Sequence, residues 1–152
     1  MKKTLISTLI ITLLCTTISF ANPNEHITLA VKDLTRVEND LGIIIKNIIS
    51  CEYNEESIRK TLEFDSGIIS SIYSRCSMNH KKGDPNIIKR EVNTILYICS
   101  VYGLAINGIL LYLEDKNSNE AYFLDSISEY RMGIITLEEF KKFLNKTYKV
   151  DL

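Results

Sequence analysis

The sequence predicts an all-α fold: a single-domain bundle of about five to six helices around a central apolar helix, preceded by a cleaved signal peptide. Three observations carry this. Apolar residues recur at spacings of three and four over most of the chain. Helix-capping residues stand at the starts of those runs. Strand signals are scarce, with no clean two-residue alternation.

The N-terminus reads as an export signal. Lys2 and Lys3 precede an uncharged apolar run from Leu5 to Phe20, and Ser19-Phe20-Ala21 supplies small residues where a signal peptidase reads. Six Ser or Thr residues interrupt the run, which makes it a poor permanent anchor. Leu14 before Cys15 argues against lipidation, because a small residue normally precedes a lipidated Cys. Cleavage after Ala21 leaves residues 22–152, a length suited to one domain. The signal holds two of the 18 basic residues and none of the 19 acidic ones, so the remaining chain is mildly acidic. Its largest basic cluster is Lys81, Lys82, Lys89 and Arg90, with Asp84 and Glu91 beside it. That is a weak nucleic-acid footprint, and no nucleic-acid partner is expected.

The first helix is expected from Asn22-Pro23-Asn24-Glu25 onward. Ile27, Val31, Leu34, Val37, Leu41, Ile44 or Ile45, and Ile48 form its apolar stripe. Asn54 caps the next stretch, whose apolar positions are Ile58, Leu62, Ile69, Ile72 and Cys76. Asp65 falls where that stripe expects an apolar residue, with Ser66 and Gly67 next, so a break is expected at 65–67. Asn79 to Asn86 reads as a loop ending in an Asp84-Pro85 helix start. A long apolar helix follows, from about Pro85 to Leu113. Asp115 to Asn119 ends it, and a helix from about Glu120 to Met132 stops at Gly133. Thr136-Leu137-Glu138-Glu139 is a capping box for the last helix, with Leu137, Phe140, Phe143 and Leu144 as its stripe.

Asn93 to Leu113 contains no charge and is long enough to span a bilayer. Asn93, Thr94, Ser100 and Asn107 dilute its hydrophobicity. With residue 22 onward exported, the basic flank at 81–90 would lie outside and Glu114 and Asp115 inside, against the positive-inside rule. A core helix is the expectation, a membrane is disfavoured, and Gly103 and Gly108 mark where a neighbour packs closely.

Three Cys remain after cleavage: Cys51, Cys76 and Cys99. Were residues 54–77 one straight helix, Cys51 and Cys76 would lie about 35 Å apart. A chain reversal near Gly67 would bring them level, so the expected disulfide is Cys51–Cys76, with Cys99 a buried free thiol.

No catalytic, cofactor-binding or metal-binding residues are assigned. Catalytic signatures such as Gly-x-Ser-x-Gly, His-Glu-x-x-His and Cys-x-x-Cys are absent. Glu55-Glu56 and Glu138-Glu139 point about 100° apart on a helix and do not converge. Asp115, Asn117 and Asn119 imitate the first half of a calcium loop and Gly133 to Phe140 the second half, but each lacks what the other has. No cofactor is expected. What remains by elimination is a small exported helical protein, periplasmic or secreted, that binds another protein of the envelope or outside the cell. The inhibitor or immunity type is the leading expectation, with His80, Lys81 and Lys82 as possible partner contacts. A small cell-wall hydrolase using one acid, or a membrane-associated component using 93–113, are the alternatives.

Overall fold

The computed structural model describes residues 25–81, 89–117 and 119–152, with side chains for all of these except 79–81 and 89. The signal segment, Lys82 and the Asp84-Pro85 helix start lie outside the described residues. All regular structure among the described residues is helical, in four helices: α1 (Glu25–Ile49), α2 (Glu55–Lys81), α3 (Lys89–Glu114) and α4 (Glu120–Tyr148).

Every apolar position expected on the first stripe is buried on α1, with both Ile44 and Ile45 inside and Ala30 added. Their 3–4 spacing leaves a polar outer face, so α1 has to bury one side. The chain leaves α1 through a two-bond C-terminal motif. Cys51 N–H donates to the Ile48 carbonyl (3.1 Å) and Glu52 N–H to that of Asn47 (3.1 Å). Cys51 takes the left-handed conformation this motif requires (φ 56°), a place usually held by glycine. Asn54 then caps α2, its side-chain oxygen accepting from Ser57 N–H at 2.9 Å.

Successive helices run antiparallel. Asp33 of α1 pairs with Arg75 of α2 at 2.7 Å, and Glu91 of α3 with Tyr148 of α4. α1 packs on all three other helices, as does α3, whereas α2 and α4 do not meet. The bundle cross-section is therefore a rhombus with α1 and α3 on its short diagonal. Segment 93–113 is buried on one side only: Ile95, Ile98, Tyr102, Ala105, Ile106 and Ile109 are fully buried, while Tyr97, Leu104 and Leu111 are exposed. The window within Arg90–Glu114 is long and apolar enough to cross a membrane, and half of it is buried against the other helices.

Among the described residues there are four helices where five or six were expected, for two local reasons. α2 runs unbroken through Asp65 to Gly67, because Asp65 turns inward and is fully buried instead of ending the helix. α4 runs unbroken through Gly133, where the ring of Tyr102 lies against the glycine and occupies the space of a side chain. Thr136 caps nothing. Its hydroxyl donates back to the Met132 carbonyl at 2.9 Å, as Thr does inside a helix. Gly108 also marks a close approach, to Ser126 and the Tyr122 carbonyl of α4, whereas Gly103 faces open space. The loop expected from Asn79 starts later, since α2 extends through Lys81.

Candidate functional site

Acids buried inside the bundle were invisible to sequence reasoning as a group. Asp65 is the most perturbed of them. It is fully buried on α2, and neither carboxylate oxygen has a hydrogen-bond partner. Burial pushes its carboxyl up to about 7, the Asp40 carboxylate of α1 adds to this, and Arg36 offsets part of it. Arg36 is itself shared: it lies 3.7 Å from Asp40 and stacks over the Phe64 ring at 4.4 Å. The signal that could have located Asp65 was its place on the α2 apolar stripe.

A second acid, Glu38, sits half-buried between α1, α3 and α4. The Tyr102 hydroxyl donates to it at 3.5 Å. Burial raises its carboxyl, with Lys141 opposing and Glu138 reinforcing. Tyr130 rests its hydroxyl on Gly42 of α1 beside this group. Glu91 is the third, nearly fully buried, accepting from the Tyr148 hydroxyl at 3.1 Å with its other oxygen unpaired. Each acid lies at a different helix–helix contact. Asp65 is near neutrality, as a general acid needs to be, yet no solvent-facing groove described below reaches it.

The open surfaces have different chemistry. A groove of about 540 Å³ between α2 and α3 is lined by Ile69, Ser70, Tyr73, Ser74, Ser77, Met78, Cys99 and Ser100, with no ionisable acid–base pair. A second, between α3 and α4, is lined by Arg90, Asn93, Thr94, Tyr97 and Thr136. Tyr73, Met78, Tyr97 and Leu104 are each about half exposed. Rigid Tyr with small polar neighbours is the make-up of recognition surfaces, because Tyr gives large contact area at low entropic cost.

The cysteines correct the disulfide expectation. Cys51, Cys76 and Cys99 are all free thiols. With α2 straight, Cys51 stands before its first turn and Cys76 near its last, so the reversal that would have paired them does not exist. Cys76 instead lies near Cys99. Burial pushes the Cys99 thiol up to about 12, with a smaller contribution from Cys76. His80 and Lys81 occupy the last turn of α2, at the same end of the bundle as the start of α3 and the end of α4. Lys82 falls outside the described residues. The two calcium-like stretches also separate. Asp115 accepts from Asn117 N–H at 3.2 Å in the α3–α4 turn, while 133–140 is helix interior with no loop to wrap an ion.

Comparison of the chain with protein-family models, curated proteins and solved structures finds no match.

Proposed function

We propose that this chain is an exported helical-bundle protein that works by binding another protein of the envelope or outside the cell, without catalysis, as an inhibitor or immunity-type protein. Export rests on Lys2, Lys3, the apolar run to Phe20 and the small residues around Ala21. The observation that carries the binding reading is a separation of chemistries. The acid near neutrality, Asp65, is sealed between α1 and α2, and the α2–α3 groove offers hydroxyl, aromatic and thioether groups. A hydrolase needs its acid where substrate can reach it; a binder needs adaptable polar and aromatic contact area.

The proposed partner contact is His80, Lys81 and Lys82, the first two in the last turn of α2. The test is capture with tagged protein from the source organism's envelope and culture fluid. One protein recovered at constant stoichiometry, whose enzymatic or toxic activity is suppressed by the captured complex, supports the reading. Release of cell-wall fragments by the purified chain would replace it with the single-acid hydrolase. A membrane-associated role has one observation behind it, the length and apolarity of α3. Resistance of the native protein to alkaline extraction from membranes would favour that role.

A further inference from the structure

The outward face of α3 carries a pattern that its core-facing side does not require. Asn93, Tyr97, Ser100, Leu104, Asn107 and Leu111 step by four and three along it, and all six are exposed. Tyr97 is 50% exposed, Leu104 54% and Leu111 38%, so large apolar groups stand in solvent while Ile95, Ile98, Tyr102 and Ile106 fill the interior. Alternating steps of three and four form the seam along which a second helix packs. Two rows make it up: Tyr97, Leu104 and Leu111 in one, Asn93, Ser100 and Asn107 in the other. Arg90 extends the first row by one heptad and Glu114 extends the second, so an uncharged seam ends in a cation at one end and an anion at the other.

We propose that this face is a self-association surface, on which a second copy of the chain lays its own α3 antiparallel about a twofold axis level with residue 102. In an antiparallel helix pair, each row meets the other row of the second copy. Positions equidistant from 102 then face one another. Ser100 meets Leu104, Tyr97 meets Asn107 and Asn93 meets Leu111, so each layer sets a large apolar group against a smaller polar one. At both ends Arg90 meets Glu114. A parallel pair would instead stack like rows, setting Arg90 on Arg90 and Glu114 on Glu114. Charge therefore selects the antiparallel arrangement, and the opposed helix dipoles favour it too.

The same features favour a second copy over lipid as the covering partner. Asn93, Ser100 and Asn107 are costly against hydrocarbon, but at a helix seam their polar ends reach the solvent-facing edge. A second copy supplies an acid opposite Arg90 and a base opposite Glu114 at matched spacing. One helix seam is a small interface, so the dimer dissociates on the order of micromolar.

Sedimentation equilibrium of the purified protein, from about 1 μM to about 1 mM, tests this. The expected result is a monomer–dimer equilibrium without higher species. Leu104→Glu should weaken it at least about 100-fold, with the helical circular-dichroism signal unchanged because Leu104 lies half in solvent. Arg90→Glu and Glu114→Arg should each weaken the dimer about 5-fold, and the double variant should restore it to within about 2-fold, as expected of a rim charge pair. A monomer throughout, a dimer indifferent to Leu104→Glu, or a double variant no better than the singles would each overturn the proposal. Association that occurs only with lipid vesicles would overturn it in favour of a membrane-facing α3.

Discussion

Asp65→Asn keeps the shape of a buried side chain and removes its ability to ionise. Asp65 has no solvent exposure and no hydrogen-bond partner, and its carboxyl is pushed to about 7. Carrying a carboxyl from the ordinary aspartate range to about 7 corresponds to about 4 kcal/mol once it is fully ionised in the fold. The sign follows from proton binding. The folded chain holds the Asp65 proton to higher pH than the unfolded chain does, so the penalty is absent below the unfolded pKa, grows as pH rises, and is complete above about 7. Between pH 5 and pH 8 the variant should gain about 2 to 3 kcal/mol on the wild type, or a melting difference of roughly 10 °C. Urea denaturation of both proteins across that range measures it. Taking the difference removes the contribution of Glu38, whose raised carboxyl titrates in the same direction. A stability difference that does not change with pH would refute the reasoning. It would mean that Asp65 faces solvent, as it would if α2 broke at 65–67.

Further outcomes follow from the packing. Gly133→Ala should destabilise the bundle by about 2 kcal/mol or more, since the new methyl group meets the Tyr102 ring. Gly67→Ala, in an exposed helix interior with nothing near it, should stabilise by about 0.5 to 1 kcal/mol; equilibrium unfolding midpoints distinguish the two. Cys51→Gly should stabilise by about 1 kcal/mol, because Cys51 holds a left-handed conformation that glycine adopts without strain. Thiol labelling of the native protein should modify Cys51 quickly and Cys99 only on unfolding, given their exposed and buried positions; a mass short by two hydrogens with Cys51 and Cys76 unreactive would restore the disulfide.

The fold class was legible where periodicity acted alone. Every expected apolar position of α1 is buried, and Asn54 caps α2 as its side chain suggests. The helix over 93–113 was also legible, and its Ile95, Ile98, Tyr102 and Ile106 side is in the core, but its Tyr97, Leu104 and Leu111 side is exposed. Helix ends were less legible, since the same local signals have two physical meanings. A glycine inside a helical pattern either ends the helix in a left-handed turn or lets another element come close. At Gly133 the deciding residue is Tyr102, on a different helix. Asp65 fell on the apolar stripe in sequence, and its polarity together with Gly67 resembled a break. Arg36 and Asp40, which face it from α1, are adjacent only after folding. The disulfide expectation failed with that break, because Cys51–Cys76 depended on the chain turning back at Gly67. The buried acids Glu38 and Glu91 carry no local signal, being set by Tyr102 and Tyr148 across helix contacts.

The binding proposal assigns partner contact to His80, Lys81 and Lys82 of an exported protein. The most direct measurement is capture from the source organism with wild-type protein and with the Lys81→Glu, Lys82→Glu double variant, side by side. The wild type should bring down one stoichiometric partner, lost or weakened about 10-fold or more in the variant, with the same helical circular-dichroism signal for both proteins. Equal recovery of the same partner by both proteins, or no protein partner for either, would contradict it.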